Sequence, residues 1–467
     1  MGADLLALLP EALLFLGAMV TLLGGSFTPR TRQWRMGLVA AVFASASLVA
    51  GLAAWTGEDR AIFAGTFTID TSTDVARAVV ATSLLLVLAI ASGELRDHAR
   101  ESETYALLLL GGTGALLLAG TTDLAVLVVA FLLSSIPLYG LIGIAARPGS
   151  PEAALKTYLF GALLGIWLML GAVLLYAVAG RAGYSTLAAE LAVAPPVAVA
   201  VGGVLVLAGL LFKAGGVPGH FWVPDATDGA SATAAAFLTT VPKIGALIAI
   251  TRLVEVLPGD DLPWASVLGA LAVASMTIGN LAALAQDDVR RLLGWSTVSQ
   301  VGYLLAAAAV VGIDDLGRPA LLFFLVGYAL SNLAAFAVVA AAPARRSLSD
   351  WSGFAAQHPA LCVALVVALL GLVGTPPTAI FIGKTTTMGA TWDAGLAWLA
   401  TAVAVNTVAS LFYYLRWIRA ALRPTPVTAE PRGEARPPRG GVVTALVAAG
   451  ASIVAGVAAG PLWLALT

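Results

Sequence analysis

Fourteen apolar stretches, each long enough to cross a lipid bilayer as a helix, follow one another along the 467 residues of this chain. A transmembrane helix needs about 20 mainly apolar residues. Charged residues make up only 11% of the chain, whereas soluble domains carry about 25%. The sequence therefore predicts an all-α polytopic membrane protein of about 14 transmembrane helices, here called predicted helices 1 to 14. They begin near residues 3, 36, 73, 104, 121, 153, 196, 230, 263, 292, 317, 358, 393 and 440.

Arginine is distributed unevenly between the connections of the predicted helices. Sixteen of the 21 arginines lie in the odd-numbered connections, counted from the N-terminus. Because cytoplasmic loops of membrane proteins carry an excess of arginine and lysine, this asymmetry predicts that both chain termini lie on the outer side. The formal net charge of −1 argues against nucleic acid as a partner. The single cysteine, Cys362, excludes an internal disulfide.

Two of the predicted helices are interrupted by glycine and proline in the middle of an apolar stretch. They are predicted helix 7, with LLFKAGGVPGHFWVPD at 210–225, and predicted helix 12, with LVGTPPTAIFIGK at 372–384. Their spacing predicts two five-helix repeats, helices 4–8 and 9–13, and because five is odd the second copy is inverted. Inverted repeats with broken helices place transport sites near the membrane midplane. We expect a single membrane domain, 1–467, with an N-terminal part at 1–103, a first repeat at 104–255, a second repeat at 262–422 and a last helix at 440–467.

The chain has only four lysines, and each lies inside or at the edge of a strongly apolar stretch. Lys213 precedes the break in predicted helix 7, Lys243 follows Pro242 in predicted helix 8, and Lys384 follows the double proline in predicted helix 12. A buried ammonium group can lose its proton near neutral pH, whereas a guanidinium group stays charged. The three lysines are therefore candidate proton carriers. The alternative is that each one reaches the membrane interface or sits in a fixed ion pair.

Lys156 and His220 are further candidates for the same role. Lys156 begins predicted helix 6, where Glu152, four residues earlier, is an adequate ion-pair partner. His220 follows Lys213 by seven residues. It either relays a proton between Lys213 and Lys243 or only caps the broken helix.

Four carboxylates in or beside apolar stretches also need an explanation. Asp225 and Asp228, in WVPDATDG, either cap the next helix or take part in proton entry. Asp123 stands before predicted helix 5 as a cap, and Glu11 lies within predicted helix 1. A carboxylate inside a membrane helix is expensive to bury, so Glu11 needs a partner.

Motifs for redox centres and nucleotides are missing from the sequence. It contains no CxxC pair, no GxxxxGK[ST] loop and no dinucleotide fingerprint. We therefore expect no cofactor in this chain. Any energy that it uses must come from an ion gradient or from a partner.

Seven sequence motifs, spread nearly from end to end, resemble one known family. The chain resembles the antiporter-like membrane subunits of proton-pumping NADH:quinone oxidoreductase, respiratory complex I, and among them the subunit N family. The motifs are LLPE at 8–11, PLYGL at 137–141, EAALKTYLFGA at 152–162, FKAGGVPGHFWVPD at 212–225, VRRLLGWSTVSQVGY at 289–303, YALSNLAAFAVV at 328–339 and GTPPTAIFIGK at 374–384.

The resemblance implies a fourteen-helix fold with a hydrophilic axis along the membrane centre. On that axis the family's proton-carrying lysines match Lys213, Lys243 and Lys384, its connecting histidine matches His220, and its helix 6 lysine matches Lys156. Quinone, FMN and iron–sulfur clusters are expected only in partner subunits. The implied partners are other membrane subunits, protons and the lipid bilayer. The implied location is the inner, cytoplasmic membrane of a bacterium.

One position departs from the family pattern. The family usually has a glutamate on helix 5, five residues before the proline of PLYGL, where it pairs with the helix 7 lysine. Here that position is Leu132, so Lys213 is expected to hold its proton less firmly. Two alternatives to a pumping complex I subunit follow: an Mrp-type cation/proton antiporter subunit, or a structural paralogue that does not pump.

Overall fold

The computed structural model describes residues 2–96, 98–259, 262–424 and 436–466. Within these ranges the chain forms twenty α-helices. In chain order they are α1 (Gly2–Ala7), α2 (Leu9–Phe27), α3 (Trp34–Ala54), α4 (Thr71–Glu94), α5 (Glu101–Gly120), α6 (Leu124–Gly143), α7 (Ser150–Ala179), α8 (Tyr184–Leu191), α9 (Pro196–Ala214), α10 (Trp222–Gly229), α11 (Ala232–Val256), α12 (Trp264–Leu284), α13 (Val289–Ala308), α14 (Gly317–Ala341), α15 (Phe354–Gln357), α16 (Pro359–Val373), α17 (Ala379–Asp393), α18 (Ala397–Leu422), α19 (Arg439–Val457) and α20 (Ala459–Leu466).

The prediction of a helical, multi-pass membrane protein is confirmed. Among the described residues, twelve single helices are long and apolar enough to cross a membrane: α2 to α7, α9, α11, α12, α14, α18 and α19. Predicted helix 10 corresponds to α13, whose serine, threonine, glutamine and arginine side chains reduce its hydropathy. Predicted helix 12 corresponds to α16 and α17, which have 15 residues each. Predicted helices 10 and 12 therefore account for the difference between the fourteen predicted helices and the twelve single spanning helices.

Both predicted interruptions are present. Residues 215–221 separate α9 from α10, and residues 374–378 separate α16 from α17. The inversion of the second repeat and the repeat boundaries at 104–255 and 262–422 stay predictions. Most of the polar connection before α19 falls on residues 425–435, which lie outside the described ranges.

The helices differ in which surface they bury. α11 is buried along nearly its whole length and lies in the centre of the bundle. Its Gly245 allows a close approach to α5, because a Cβ atom there would stand 2.1 Å from the carbonyl oxygen of Ala115. Small residues permit such close helix packing in membranes. In contrast, α3 and α7 present large apolar side chains on the outside of the bundle, as lipid-facing helices do.

A small β-hairpin is the one sheet among the described residues, and the helical pattern of the sequence does not predict it. Strands β1 (Arg60–Ile62) and β2 (Phe67–Ile69) pair antiparallel. The hairpin covers the connection between α5 and α6, where the amide of Thr122 donates to the carbonyl oxygen of Thr66 at 3.0 Å. It therefore closes the bundle at the end where α4 begins.

Candidate functional site

The first helix break lies between α9 and α10, and protein groups satisfy its freed backbone atoms. Gly215 follows α9 with a φ of 81°, a left-handed conformation that glycine adopts without strain. The indole Nε1 of Trp222 donates across the break to the carbonyl oxygen of Phe212 at 3.0 Å. The amide of Val217 donates to the hydroxyl of Ser275, on α12, at 2.9 Å. Hydrogen bonds from α10 and α12 therefore stabilise the break.

Lys213 stands at the end of α9 and turns away from the break. Its side chain is fully buried, and Nζ donates to the carbonyl oxygen of Ser134 and to the hydroxyl of Ser135 at 3.2 Å. Both residues are on α6. Pro137, in the next turn, has no amide hydrogen and so leaves a carbonyl oxygen of α6 without its helical donor. In these contacts α6 offers the lysine neutral acceptors only.

The position that usually carries the family's glutamate holds a half-buried leucine on α6, Leu132. Asp123, the nearest acid upstream on this chain segment, uses its carboxylate to cap α6 by accepting from the amides of Ala125 at 2.8 Å and Val126 at 3.1 Å. The prediction that Asp123 is a cap is therefore confirmed. Within the described ranges no carboxylate pairs with Lys213.

Lys243 approaches the same break from α11. Its Nζ lies 5.3 Å from the ring centroid of Trp222, a cation–π distance. A Cβ atom on Gly215 would lie 3.1 Å from this Nζ. In the part of the chain that the structure describes, Nζ has no hydrogen-bond partner. The ammonium group therefore faces an aromatic ring and the backbone of the break.

The second break lies between α16 and α17 and receives its own lysine. Gly374 has a φ of 88°, and Lys384, in the second turn of α17, folds back to the break. Its Nζ donates to the carbonyl oxygen of Val373 at 2.9 Å and lies 3.4 Å from that of Leu372. The same Nζ is 3.8 Å from the ring centroid of Tyr303, on α13. The end of α16 thus supplies oxygen acceptors directly to the lysine.

Polar side chains line the space between α11, α13 and α14. The hydroxyl of Tyr328 donates to the carbonyl oxygen of Thr239 at 2.6 Å and lies 3.4 Å from the hydroxyl of Thr297. The amide of Asn332 donates to the hydroxyls of Thr239 and Thr240, both at 2.8 Å. These side chains are fully buried. Thr239 and Thr240 lie one turn before Lys243 on α11, so these polar side chains reach from that turn to Thr297 on α13.

Gln300 connects this polar group to the second break. Its Nε2 donates to the carbonyl oxygen of Leu372 at 2.7 Å, the same oxygen that Lys384 approaches. Gln300 also lies 3.4 Å from the hydroxyl of Tyr414, which is hydrogen-bonded to Ser296. A row of hydroxyl and amide groups therefore lies between the two breaks.

The sequence interpretation missed these connecting residues. Ser296, Thr297, Gln300 and Tyr303 stand in one helix, α13, within GWSTVSQVGY. Their signal was the low hydropathy of a segment that nevertheless must be buried, because polar groups inside a membrane protein face its interior. A search of the predicted helices for such segments would have found them.

His220 lies in the first break with its ring packed between two aromatic side chains. It is 4% exposed, and its ring centroid is 4.2 Å from that of Phe221 and 5.7 Å from that of Trp295. Its Nδ1 has no partner among the described residues, and neither Lys213 nor Lys243 is hydrogen-bonded to it. Its role as a relay stays a prediction.

Lys156 differs from the other lysines because its side chain is 45% exposed and paired twice. Nζ lies 2.7 Å from Glu152, as the sequence predicts, and 3.1 Å from Asp225 of α10. Asp225 in turn accepts from Arg291 of α13 at 2.8 Å. These ion pairs fasten the short helix α10 to α7 and α13.

The interpretation of Asp225 and Asp228 as caps of the next helix is wrong. Ser231 caps α11, accepting from the amide of Ala234 at 3.0 Å. Asp228 instead pairs with Arg346, which also lies 2.9 Å from Asp288. Burial opposes the charge of Arg346, but the two carboxylates hold its pKa above the usual value. Arginines distant in the sequence therefore bind Asp225 and Asp228, which do not cap the helix.

Residues 121–410 of the chain match the family model "NADH:quinone oxidoreductase/Mrp antiporter, TM". The fold and the buried lysines therefore define an antiporter-like membrane subunit. A protein of Mycobacterium sp. (strain JLS), NADH-quinone oxidoreductase subunit N, is 54% identical over 98% of this chain and 97% of its own length. Subunit N 1 of Streptomyces griseus is 49% identical over 91% of this chain and 90% of its own length. The chain belongs to the subunit N family of NADH-quinone oxidoreductase.

Solved structures with the same fold come from more than one kind of membrane complex. A chain of respiratory complex I from Thermus thermophilus, with bound aureothin, has a TM-score of 0.82 and 28% identity, over 98% of this chain and 99% of that one. A chain of the Mrp complex from Dietzia has a TM-score of 0.84 at 23% identity, over 99% of this chain and 96% of that one. The second likeness shows the fold alone.

Proposed function

We propose that this chain conducts protons across the membrane within a complex I-type NADH:quinone oxidoreductase, while quinone reduction takes place in other subunits. Lys213, Lys243 and Lys384 are the proton carriers. The observation that carries the proposal is their burial: the three side chains are 0 to 2% exposed. Among the described residues their contacts are carbonyl oxygens, a hydroxyl and aromatic rings.

The charge of a buried lysine depends on the groups around it. An ammonium group next to a carboxylate is held in its charged form, whereas burial without an opposite charge favours the neutral amine. A lysine between these limits can bind and release a proton when its surroundings change. The buried hydroxyls and amides between the breaks, with any water between them, can pass the proton from one lysine to the next.

His220 and Lys156 complete the proposed set. His220 is proposed to relay protons between Lys213 and Lys243, because its Nδ1 is left without a partner among the described residues. Lys156 is proposed to act where protons enter, since it stands with Asp225 at the exposed edge of the bundle. No redox centre and no cofactor is assigned to this chain.

The test uses the assembled complex in liposomes, with a dye for proton uptake and a separate assay of quinone reduction. Lys213→Met, Lys243→Met and Lys384→Met keep the length of the side chain and remove its charge. Each is expected to lower the number of protons pumped per quinone. Arg416→Met, at an exposed arginine that pairs with Asp287 and lies outside the proposed proton path, is the control and should have a smaller effect. Full pumping by the three variants, with assembly verified, would remove these lysines from the path.

Leu132 favours a second candidate, in which the first half of the chain no longer conducts. That candidate predicts normal pumping by Lys213→Met and impaired pumping by Lys384→Met. The remaining alternative is that the chain is a subunit of an Mrp-type cation/proton antiporter. Purification in mild detergent with mass spectrometry would separate it, because a complex I subunit should travel with quinone-reducing partners.

The arginine asymmetry supports a location in a bacterial inner membrane with both chain ends on the outer side. A cysteine placed at residue 2, after replacement of Cys362, should react with an impermeant thiol reagent in intact cells. A cysteine beside Arg345 should be protected. Labelling near Arg345 from the outside would invert the proposed orientation.

A further inference from the structure

A buried charged cluster lies outside the lysine axis, at the end of the bundle that the β-hairpin closes. Arg77 of α4 forms a bidentate pair with Glu11 of α2, with Nε 2.8 Å from Oε1 and Nη2 3.0 Å from Oε2. Nη2 also donates to the carbonyl oxygen of Ala7 at 2.8 Å. Asp74, one turn before Arg77, lies 3.3 Å from Nη1. Glu11, Asp74 and Arg77 are 3%, 4% and 1% exposed.

The charges of this cluster do not balance. Two carboxylates share one guanidinium group, so full ionisation would leave a net negative charge buried beside the lipid. The connected neighbours do not remove it. Asp70 pairs with Arg252 of α11 at 2.7 Å and lies 3.6 Å from Arg318 of α14. Arg318 pairs with Glu255 at 2.6 Å.

Together the two groups bring four carboxylates and three guanidinium groups to this end of the bundle. A buried charge without a counter-charge is strongly unfavourable, and a carboxyl group in that position takes up a proton instead. Protonation of one carboxyl group would therefore stabilise the cluster. The described parts of α3, α5 and α19 that pack on α4 bring no ionisable side chain to this end of it.

Contacts indicate which carboxyl group holds the proton. Glu11 has the bidentate pair. Asp70 is buried, which opposes its charge, but Arg252 and the amide of Thr73 hold its pKa below the usual value. Asp74 has a single contact with a charged donor, and it is the longest in the cluster.

We propose that Asp74 is a proton-binding site in exchange with water, and that its proton balances the Glu11–Arg77 cluster. The route to water is short. A pocket of about 880 Å³ is lined by Asp59, Asp70, Thr71 and Arg318, and Asp70 and Thr71 precede Asp74 by one helical turn. This end of the bundle is opposite the arginine-rich connections. The site would therefore sense the outer solution, and it does not depend on the lysine path.

Two isosteric variants in the assembled complex test the proposal. Asp74→Asn mimics the protonated acid, so the midpoint of thermal unfolding at acidic pH, where Asp74 holds its proton, should not change. Glu11→Gln removes the carboxylate that pairs with Arg77, so the midpoint should fall. Infrared difference spectra of wild type minus Asp74→Asn should contain the carbonyl band of a protonated carboxylic acid. The band should shift in heavy water, and it should disappear as the pH of the medium rises.

Three results would overturn it. If Glu11 holds the proton, the two variants exchange their effects, and Glu11→Gln removes the infrared band. If both groups are ionised, both variants lower the midpoint and neither removes an acid band. A band that is removed by Asp74→Asn but does not respond to heavy water would show a proton sealed from solvent, and the exchange with the outer solution would be wrong.

Discussion

The two helix breaks use the same backbone chemistry but place their lysines differently. At the first break, the side chain of Lys213, on α9, donates to groups of α6. The side chain of Lys243, on α11, lies beside Gly215. At the second break, Lys384 of α17 returns to the carbonyl oxygens at the end of α16. Two lysines from different helices, Lys213 of α9 and Lys243 of α11, therefore lie near the first break. At the second break, Lys384 of α17 contacts the break directly.

This difference predicts that Lys213 is more sensitive than Lys384 to a missing carboxylate. The carboxyl end of a helix carries a partial negative charge of roughly half an elementary unit, and Lys384 lies directly on the end of α16. Lys213 has a hydroxyl and one carbonyl oxygen of α6. The loss of a glutamate at position 132 therefore concerns the first break, whereas the second supplies its own negative dipole.

The largest effect is expected from exchanging the lysines for arginine. Lys213→Arg and Lys384→Arg keep the positive charge but cannot release the proton. Each should lower proton pumping by about tenfold or more, equivalent to about 1.4 kcal/mol in the barrier. Arg416→Lys, a charge-conserving exchange at an exposed arginine outside the proposed path, serves as the control in the liposome assay. Pumping that survives Lys213→Arg but not Lys384→Arg would show that only the second break conducts.

Next in size is the effect of adding a methyl group to each break glycine. Gly215→Ala and Gly374→Ala should each lower the stability of the complex by about 1 to 2 kcal/mol, because their left-handed backbone is unfavourable for alanine. Gly215→Ala should be worse, since its Cβ would lie 2.8 Å from Val223, against 3.0 Å from Lys384 at Gly374.

The control for the glycine variants is Gly389→Ala, in α17, where a Cβ would meet no atom within 4 Å. It should leave the midpoint of thermal unfolding unchanged or slightly raised, because alanine favours a helix. Equal losses for all three variants would mean that the breaks are not special.

A smaller effect is expected from the side chains that satisfy each break from outside. Ser275→Ala removes the acceptor of the Val217 amide and should cost about 1 kcal/mol in thermal stability. Gln300→Met removes a donor to Leu372, whose oxygen keeps Lys384 nearby, so its cost should be lower. A larger loss for Gln300→Met would show that Lys384 does not support this carbonyl group.

The smallest effect concerns position 132. Leu132→Glu should give Lys213 an opposite charge and favour its protonated form, so coupled activity should persist to higher pH. Leu132→Gln has a similar shape without the charge and is the control. Identical pH profiles for the two variants would show that position 132 does not communicate with Lys213, and the non-conducting candidate would gain support.

Local sequence patterns were enough to predict the helices, their breaks and the buried lysines. Hydropathy and the effect of glycine and proline act over a few neighbouring residues, so the breaks at 215–221 and 374–378 could be read directly. The pairing of Lys156 with Glu152 is also local, because residues four apart share a helix face. The need of Glu11 for a partner followed from the cost of burying a charge.

Contacts between residues distant in the sequence depend on how the helices pack. Lys213 binds Ser134, 79 residues away, and Lys156 reaches Asp225 over 69 residues. Such contacts depend on the order and rotation of packed helices, which no local pattern encodes. The same reason explains the errors: Asp225 and Asp228 had the composition of caps, but they pair with arginines of α13 and of the connection after α14. The partner of Glu11 on α4 likewise became visible only once the helices were assembled.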